Sequence, residues 1–154
     1  MKRFCPVIFL PLLLLSGCNQ NNEEPTPSKE EPHYNEVEEF HIEWKNLLKQ
    51  KSNKYYAYVY SVSCVPCSML RETAIEFGKH QYVDFYFVYP SDDIPFTTDM
   101  ALVNNSIGAT SIENVYCSST PSLFEITEGT VTSYSNDYYE IKAFMESYMG
   151  EETI

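Results

Sequence analysis

In Tyr55-Tyr56-Ala57-Tyr58-Val59-Tyr60-Ser61-Val62-Ser63-Cys64-Val65-Pro66-Cys67, an apolar, aromatic run leads into two cysteines separated by two residues. The near-continuous apolar character of residues 55–62 suits a central strand covered on both faces. Past Cys67, the residues Leu70, Ala74 and Phe77 fall on one face of a helix, with Gly78 as its predicted stop. Strand before and helix after is the context in which such a pair reads as redox chemistry. At a helix N-terminus, Cys64 meets unpaired backbone N–H groups and the positive end of the macrodipole. Both favour the thiolate and make Cys64 a nucleophile near neutral pH.

Two other uses of such a pair are a metal half-site and a structural disulfide. A zinc half-site needs two further ligands, and the chain has only His33, His41 and His80 and no second Cys-x-x-Cys. A purely structural disulfide stays open, although a loop this short gains little stability from cross-linking. No metal and no cofactor are expected, since exchange needs only the two sulfurs.

Working outward, Val37, Phe40, Trp44, Leu47 and Leu48 recur at helical spacing and predict an amphipathic helix of about 15 residues. Residues 82–89 read as a second buried strand, ended by Pro90. The region from Ser91 to about Ser119 is expected to hold one helix near residues 99–105. Residues 122–127 and 130–134, joined by Glu128-Gly129, predict a β-hairpin. From Asp137 to Met149, Tyr138, Ile141, Met145 and Tyr148 share one helical face, with Asn136 or Asp137 as N-cap. Strands joined through helices imply a parallel core, and the hairpin adds antiparallel edge strands. The expected class is α/β, a mixed sheet of about four strands flanked by helices.

That element order, with Cys-x-Pro-Cys after the first strand and Thr120-Pro121 before the hairpin, resembles the thioredoxin fold over about residues 35–150. The resemblance implies a cis Thr120-Pro121 bond in a loop that faces the cysteines and pairs with an extended substrate. It also implies that Cys64 attacks, Cys67 resolves, and Thr120 and Pro121 contact substrate. Two positions depart from the family. Ser63 stands where it usually has Trp, and Tyr58 where thioredoxins carry a buried Asp that moves the resolving thiol's proton. Asp84 and Glu125 are candidate replacements, both read as structural or exposed. Cys117 is expected to fill an inward-facing apolar site just before the Thr120-Pro121 loop, with a regulatory or second-disulfide role as the alternative.

The N-terminus places the domain. Lys2 and Arg3 precede an apolar segment, Phe4 to Leu15, followed by Ser16-Gly17-Cys18. The segment is short for a span, which needs roughly 20 residues, and has the size and basic flank of an export signal. Its end resembles the lipobox of bacterial lipoproteins, with an ordinary export signal and a chance cysteine as the alternative. That resemblance implies cleavage after residue 17 and lipidation of Cys18, anchoring the protein at the outer face of the cytoplasmic membrane. Residues 18–33 are polar, acidic and proline-bearing, and read as a flexible tether ahead of a domain spanning 34–150. Loss of Lys2 and Arg3 would move the formal charge from −12 to −14. Such an acidic chain lacks the clustered Lys and Arg that nucleic acid requires, and its membrane attachment would come from the acyl chains alone.

Together these readings predict a monomeric, membrane-anchored thiol–disulfide oxidoreductase acting on protein thiols and disulfides. The alternative is a thioredoxin-fold binding or accessory module of an export system, with a structural or vestigial cysteine pair. The lipobox and residues 119–124 resemble most closely the thioredoxin-like lipoproteins and bacteriocin-transport accessory proteins of Gram-positive bacteria.

Overall fold

Side chains alternate across a strand, and here that alternation divides the core in two. The computed structural model describes residues 33–150. The expected export signal, Cys18 and the tether up to Pro32 lie outside the described residues. A five-stranded sheet is built from β1 (His41–Ile42), β2 (Lys54–Val59), β3 (Phe85–Val88), β4 (Ser122–Thr127) and β5 (Thr130–Ser135). Its strand order is β1-β3-β2-β4-β5. β1 and β2 both run parallel to β3, with Tyr56 opposite Phe85 and Val59 opposite Val88, while β4 runs antiparallel to β2 and β5 antiparallel to β4. The helices are α1 (Val65–His80), α2 (Met100–Asn105) and α3 (Tyr138–Met149).

From β2, Tyr56 and Tyr58 enter the core layer with Leu70, Phe77 and Ile141 of α1 and α3. Tyr55, Ala57 and Val59 enter the opposite layer with Trp44, Leu47, Cys117 and Phe124. Burial on both faces explains why β2 reads as a continuous apolar run rather than an alternating one.

The predicted helix over residues 37–48 does not form. Two short 3₁₀ turns, Tyr34–Phe40 and Trp44–Asn46, flank β1. β1 pairs His41 with Phe87 and Ile42 with Val88 at the edge of the sheet. Val37 is buried in one core layer, and Trp44 and Leu47 in the other. The chain therefore crosses the sheet edge between them, and apolar residues at helical spacing serve two faces rather than one. The fifth strand comes from this segment.

Gly78 does not stop α1, which runs on to His80. The cap is Gln81, in the left-handed region at φ 46°. Its side-chain amide donates to the Gly78 carbonyl at 2.8 Å and the Phe85 carbonyl at 3.0 Å, tying the helix end to the next strand. Gly78 is needed for space instead. A Cβ there would lie 2.5 Å from Cε2 of Phe87. The hairpin forms as expected, with Glu128 at φ 51° and Gly129 at φ 72°, the positive pair that a two-residue type I′ turn needs. α2 begins one residue past Asp99, whose carboxylate accepts from the Ala101 N–H. Asp137, not Asn136, caps α3, accepting from the N–H groups of Tyr139 and Glu140.

The buried aromatic layer carries a pH consequence. Burial, and then the carboxylate of Glu125, push the Tyr56 hydroxyl up to about 12. Burial drives Tyr58 and Tyr60 well above the ordinary tyrosine range and pushes the Cys117 thiol up to about 12. Each group ionises more readily in the unfolded chain, so its contribution is complete below the unfolded value and is lost as pH rises through the folded one. Thermal stability should hold to about pH 8, begin to fall as the unfolded chain's Cys117 thiol ionises near about 8.5, and fall more steeply above about pH 10 as the tyrosines follow. A melting temperature unchanged from pH 8 to pH 12 would contradict this account of the core.

Candidate active site

Between β2 and α1 the chain turns at residues 61–63, and the Cys64 N–H donates to the Ser61 carbonyl at 3.2 Å. Cys64 is then the N-cap of α1, and the Cys67 N–H donates to Cys64 Sγ at 3.2 Å. This is the contact expected of a sulfur set over unpaired helix N–H groups, which favours negative charge on Cys64. Pro66 lies in the first turn, where its missing N–H leaves no bond unmade.

The two cysteines sit at disulfide distance, with Cα atoms 5.2 Å apart. Their exposure differs sharply: Cys64 is half-buried, whereas Cys67 is only 1 % exposed and packs with Leu70 and Tyr58. By exposure, Cys64 rather than Cys67 is the sulfur presented to an incoming one. Beside Cys67 a cleft of about 260 Å³ is lined by Tyr34, Tyr60, Ser61, Ser68 and Arg71. Among the described residues, no group of three or more His, Cys, Asp or Glu side chains is arranged to hold a metal ion.

The loop before β4 completes the site. The Thr120-Pro121 bond is cis, Pro121 is buried and Thr120 half-buried, and the Thr120 carbonyl oxygen lies 3.2 Å from Cys64 Sγ. Thr120 and Pro121, 56 residues downstream of Cys64 in the case of Thr120, are thus brought against it. Parallel β1-β3-β2, an antiparallel β4-β5 hairpin, a Cys-x-x-Cys opening α1 and a cis-proline loop over its first sulfur now stand together. The chain has a thioredoxin fold.

Solved structures with this fold align along most of their length, at low identity. Thioredoxin f2 of Chlamydomonas reinhardtii matches with a TM-score of 0.45 and 10% identity, over 71% of this chain and 94% of that one. Oxidised mitochondrial thioredoxin 3 of Saccharomyces cerevisiae gives 0.44 and 13%, over 73% and 98%. Thioredoxin f of spinach chloroplast gives 0.45 and 12%, over 77% and 94%. No protein-family model matches the chain, and no curated protein does.

Against the thioredoxin pattern, Tyr58 is fully buried and its hydroxyl is held protonated by burial and by Tyr34. Asp84 and Glu125, the acids that could stand in for it, are engaged elsewhere. Asp84 accepts from the Ser52 hydroxyl. Glu125 accepts from Tyr56 at 2.9 Å and pairs with Lys54 at 3.2 Å. Cys117 is wholly buried and free, packed with Val115 and Phe124.

The segments that form the site, residues 60–69 and 116–124, carry no charged side chain. Around Cys64 the side chains of Val62, Val65 and Met69 are 84%, 70% and 63% exposed. Val65 and Met69 are one turn apart on α1 and so share a face. Their signal in the sequence is apolar character off the Leu70-Ala74-Phe77 face. Tyr134 and Asn136, which reach the Thr120 loop from beyond β4, carry no such signal: Tyr134 reads as an ordinary strand residue.

Proposed function

We propose that the protein is a thiol–disulfide oxidoreductase acting on protein substrates outside the cytoplasmic membrane, held there as a monomer by lipid on Cys18. The observation that carries the reading is the accessible Cys64 at the N-terminus of α1, at disulfide distance from the buried Cys67. In the reducing direction the Cys64 thiolate attacks a substrate disulfide. One substrate sulfur leaves as a thiolate, and a mixed disulfide joins Cys64 to the other. Cys67, once deprotonated, attacks Cys64 Sγ and releases the second substrate thiolate, leaving the Cys64–Cys67 disulfide. Oxidation of a substrate dithiol is the same sequence reversed. Thr120 and Pro121 form the substrate-facing edge, and the exposed Val62, Val65 and Met69 suit an uncharged, apolar polypeptide segment better than an ionic one.

The extracytoplasmic placement rests on the export-signal pattern of residues 1–17, the lipobox-like Leu15-Ser16-Gly17-Cys18 and the likeness to thioredoxin-like lipoproteins and bacteriocin-transport accessory proteins. Among the described residues no helix is long and apolar enough to cross a membrane. Two measurements test the proposal. The purified domain should catalyse thiol–disulfide exchange on a model protein disulfide, and Cys64→Ala should not. Cell fractionation should find the full chain with membranes and the Cys18→Ala variant released or misprocessed. A variant that stays on membranes as well as the parent does would remove the lipid anchor.

A further inference from the structure

The loop carrying Thr120 is held by a chain of hydrogen bonds whose direction is set atom by atom. The Ser122 hydroxyl donates to the Ser119 carbonyl at 2.6 Å, which uses its only hydrogen. At 3.0 Å from Tyr134 Oη, Ser122 Oγ is therefore the acceptor and Tyr134 the donor. Tyr134 Oη then accepts the Ser118 hydroxyl at 2.8 Å and the Ser118 N–H at 3.0 Å. With its hydrogen spent on Tyr134, Ser118 Oγ accepts from the Asn136 amide at 2.8 Å, and the same amide reaches Ser119 Oγ at 3.2 Å. The bonds run one way, from Asn136 through Ser118 and Tyr134 to Ser122 and the Ser119 carbonyl, an arrangement in which each bond polarises the next.

The anchor of this hydrogen-bond chain is packed into the hairpin. Tyr134 lies in β5 opposite Phe124 of β4, and the two rings pack with centroids 4.9 Å apart. Ser122, at the start of β4, is fully buried. Residues 118–122 are thus tied to the hairpin on both sides of Thr120, the residue whose carbonyl touches Cys64 Sγ.

We propose that Tyr134, backed by Asn136, is a positioning residue for exchange at Cys64: its hydroxyl fixes the residue 118–122 loop so that the Thr120 carbonyl and the substrate-facing edge stay registered on that sulfur. The inference rests on the oxidoreductase reading. Its chemical consequence is specific. Once Cys64 is reduced, the Thr120 carbonyl 3.2 Å from its sulfur is placed to accept from the thiol, which would favour the protonated form and oppose the helix terminus. A released loop withdraws that acceptor and loosens the surface on which a substrate lies.

Tyr134→Phe tests this, since it removes the hydroxyl and keeps the ring on Phe124. The midpoint of the pH profile for alkylation of reduced Cys64 should move down by about half a unit. The kcat/KM for a peptide disulfide should fall about tenfold, mainly through KM, while exchange with a small aromatic disulfide changes less than about twofold. Asn136→Ala, at an exposed position that does not endanger folding, should move both readouts the same way and less. An unmoved pH midpoint in both variants, or equal losses on the peptide and the small disulfide, would overturn the positioning role. A parent protein inert towards both disulfides would instead overturn the oxidoreductase reading on which the role depends.

Discussion

Replacing Cys67 by Ser is expected to turn the protein into a trap: Cys64 still attacks substrate disulfides, nothing resolves the product, and mixed disulfides accumulate. Cys64→Ser should form none, and its exchange rate should drop by about three orders of magnitude or more, because the reacting nucleophile is gone. The asymmetry follows from burial. Cys64 is half-buried at the helix terminus, whereas Cys67 is 1% exposed. Cys117 does not rescue the variant, since it is wholly buried and its thiol is pushed up to about 12. Mass spectrometry of alkylation-quenched cells expressing each variant reads both results and identifies the substrates. Covalent partners on the Cys64→Ser variant, or equal trapping by both variants, would reverse the assignment of attacking and resolving sulfur.

The second large effect is on stability. Gly78→Ala is expected to destabilise the domain by about 1–3 kcal/mol, against the gain of roughly 1 kcal/mol that helix propensity alone offers. The new methyl would lie 2.5 and 2.7 Å from ring carbons of Phe87. That ring cannot yield easily: it is fully buried and lies among Tyr34, His41, Tyr58 and Phe85, with centroids 5.2 to 6.0 Å away. Denaturant unfolding should show the loss, and a second substitution, Phe87→Leu, should recover part of it in a double-mutant cycle. A Gly78→Ala protein as stable as the parent would mean that α1 and β3 have room the packing does not show.

The contrast between Gly78 and Gly129 explains much of what sequence reading reaches here. Gly129 follows a strand pattern and sits in a two-residue turn, so local chemistry alone identifies it. Gly78 closes an apolar helical face and looks like a stop signal, but its role is contact with a strand residue nine positions on, which no local pattern records. The same limit applies to residues 37–48. Val37, Trp44 and Leu47 satisfy helical spacing, yet they are buried on opposite sides of the sheet because β1 passes between them. The cysteine pair was legible because it is a compact motif between a strand and a helix, whereas the Thr120-Pro121 loop was legible only through the resemblance to the thioredoxin fold. Tyr134 and Asn136 were not, because their link to the loop exists only once β5 is paired with β4.

Equilibration of the domain against graded glutathione buffers tests most directly whether Cys64 and Cys67 form a working redox couple. Asp84 and Glu125 are bonded to Ser52, Tyr56 and Lys54, and the two residues between the cysteines carry no charge, so helix N–H groups are the stabilisation in view for the Cys64 thiolate. That argues against a strongly reducing couple and for one short of the strongest oxidants. A working couple should give a single reversible two-electron transition between about −270 mV, the thioredoxin value, and about −120 mV, that of the strongest oxidants. A pair showing no reversible transition across that range of buffers would contradict it and leave the fold as a binding module with a structural disulfide.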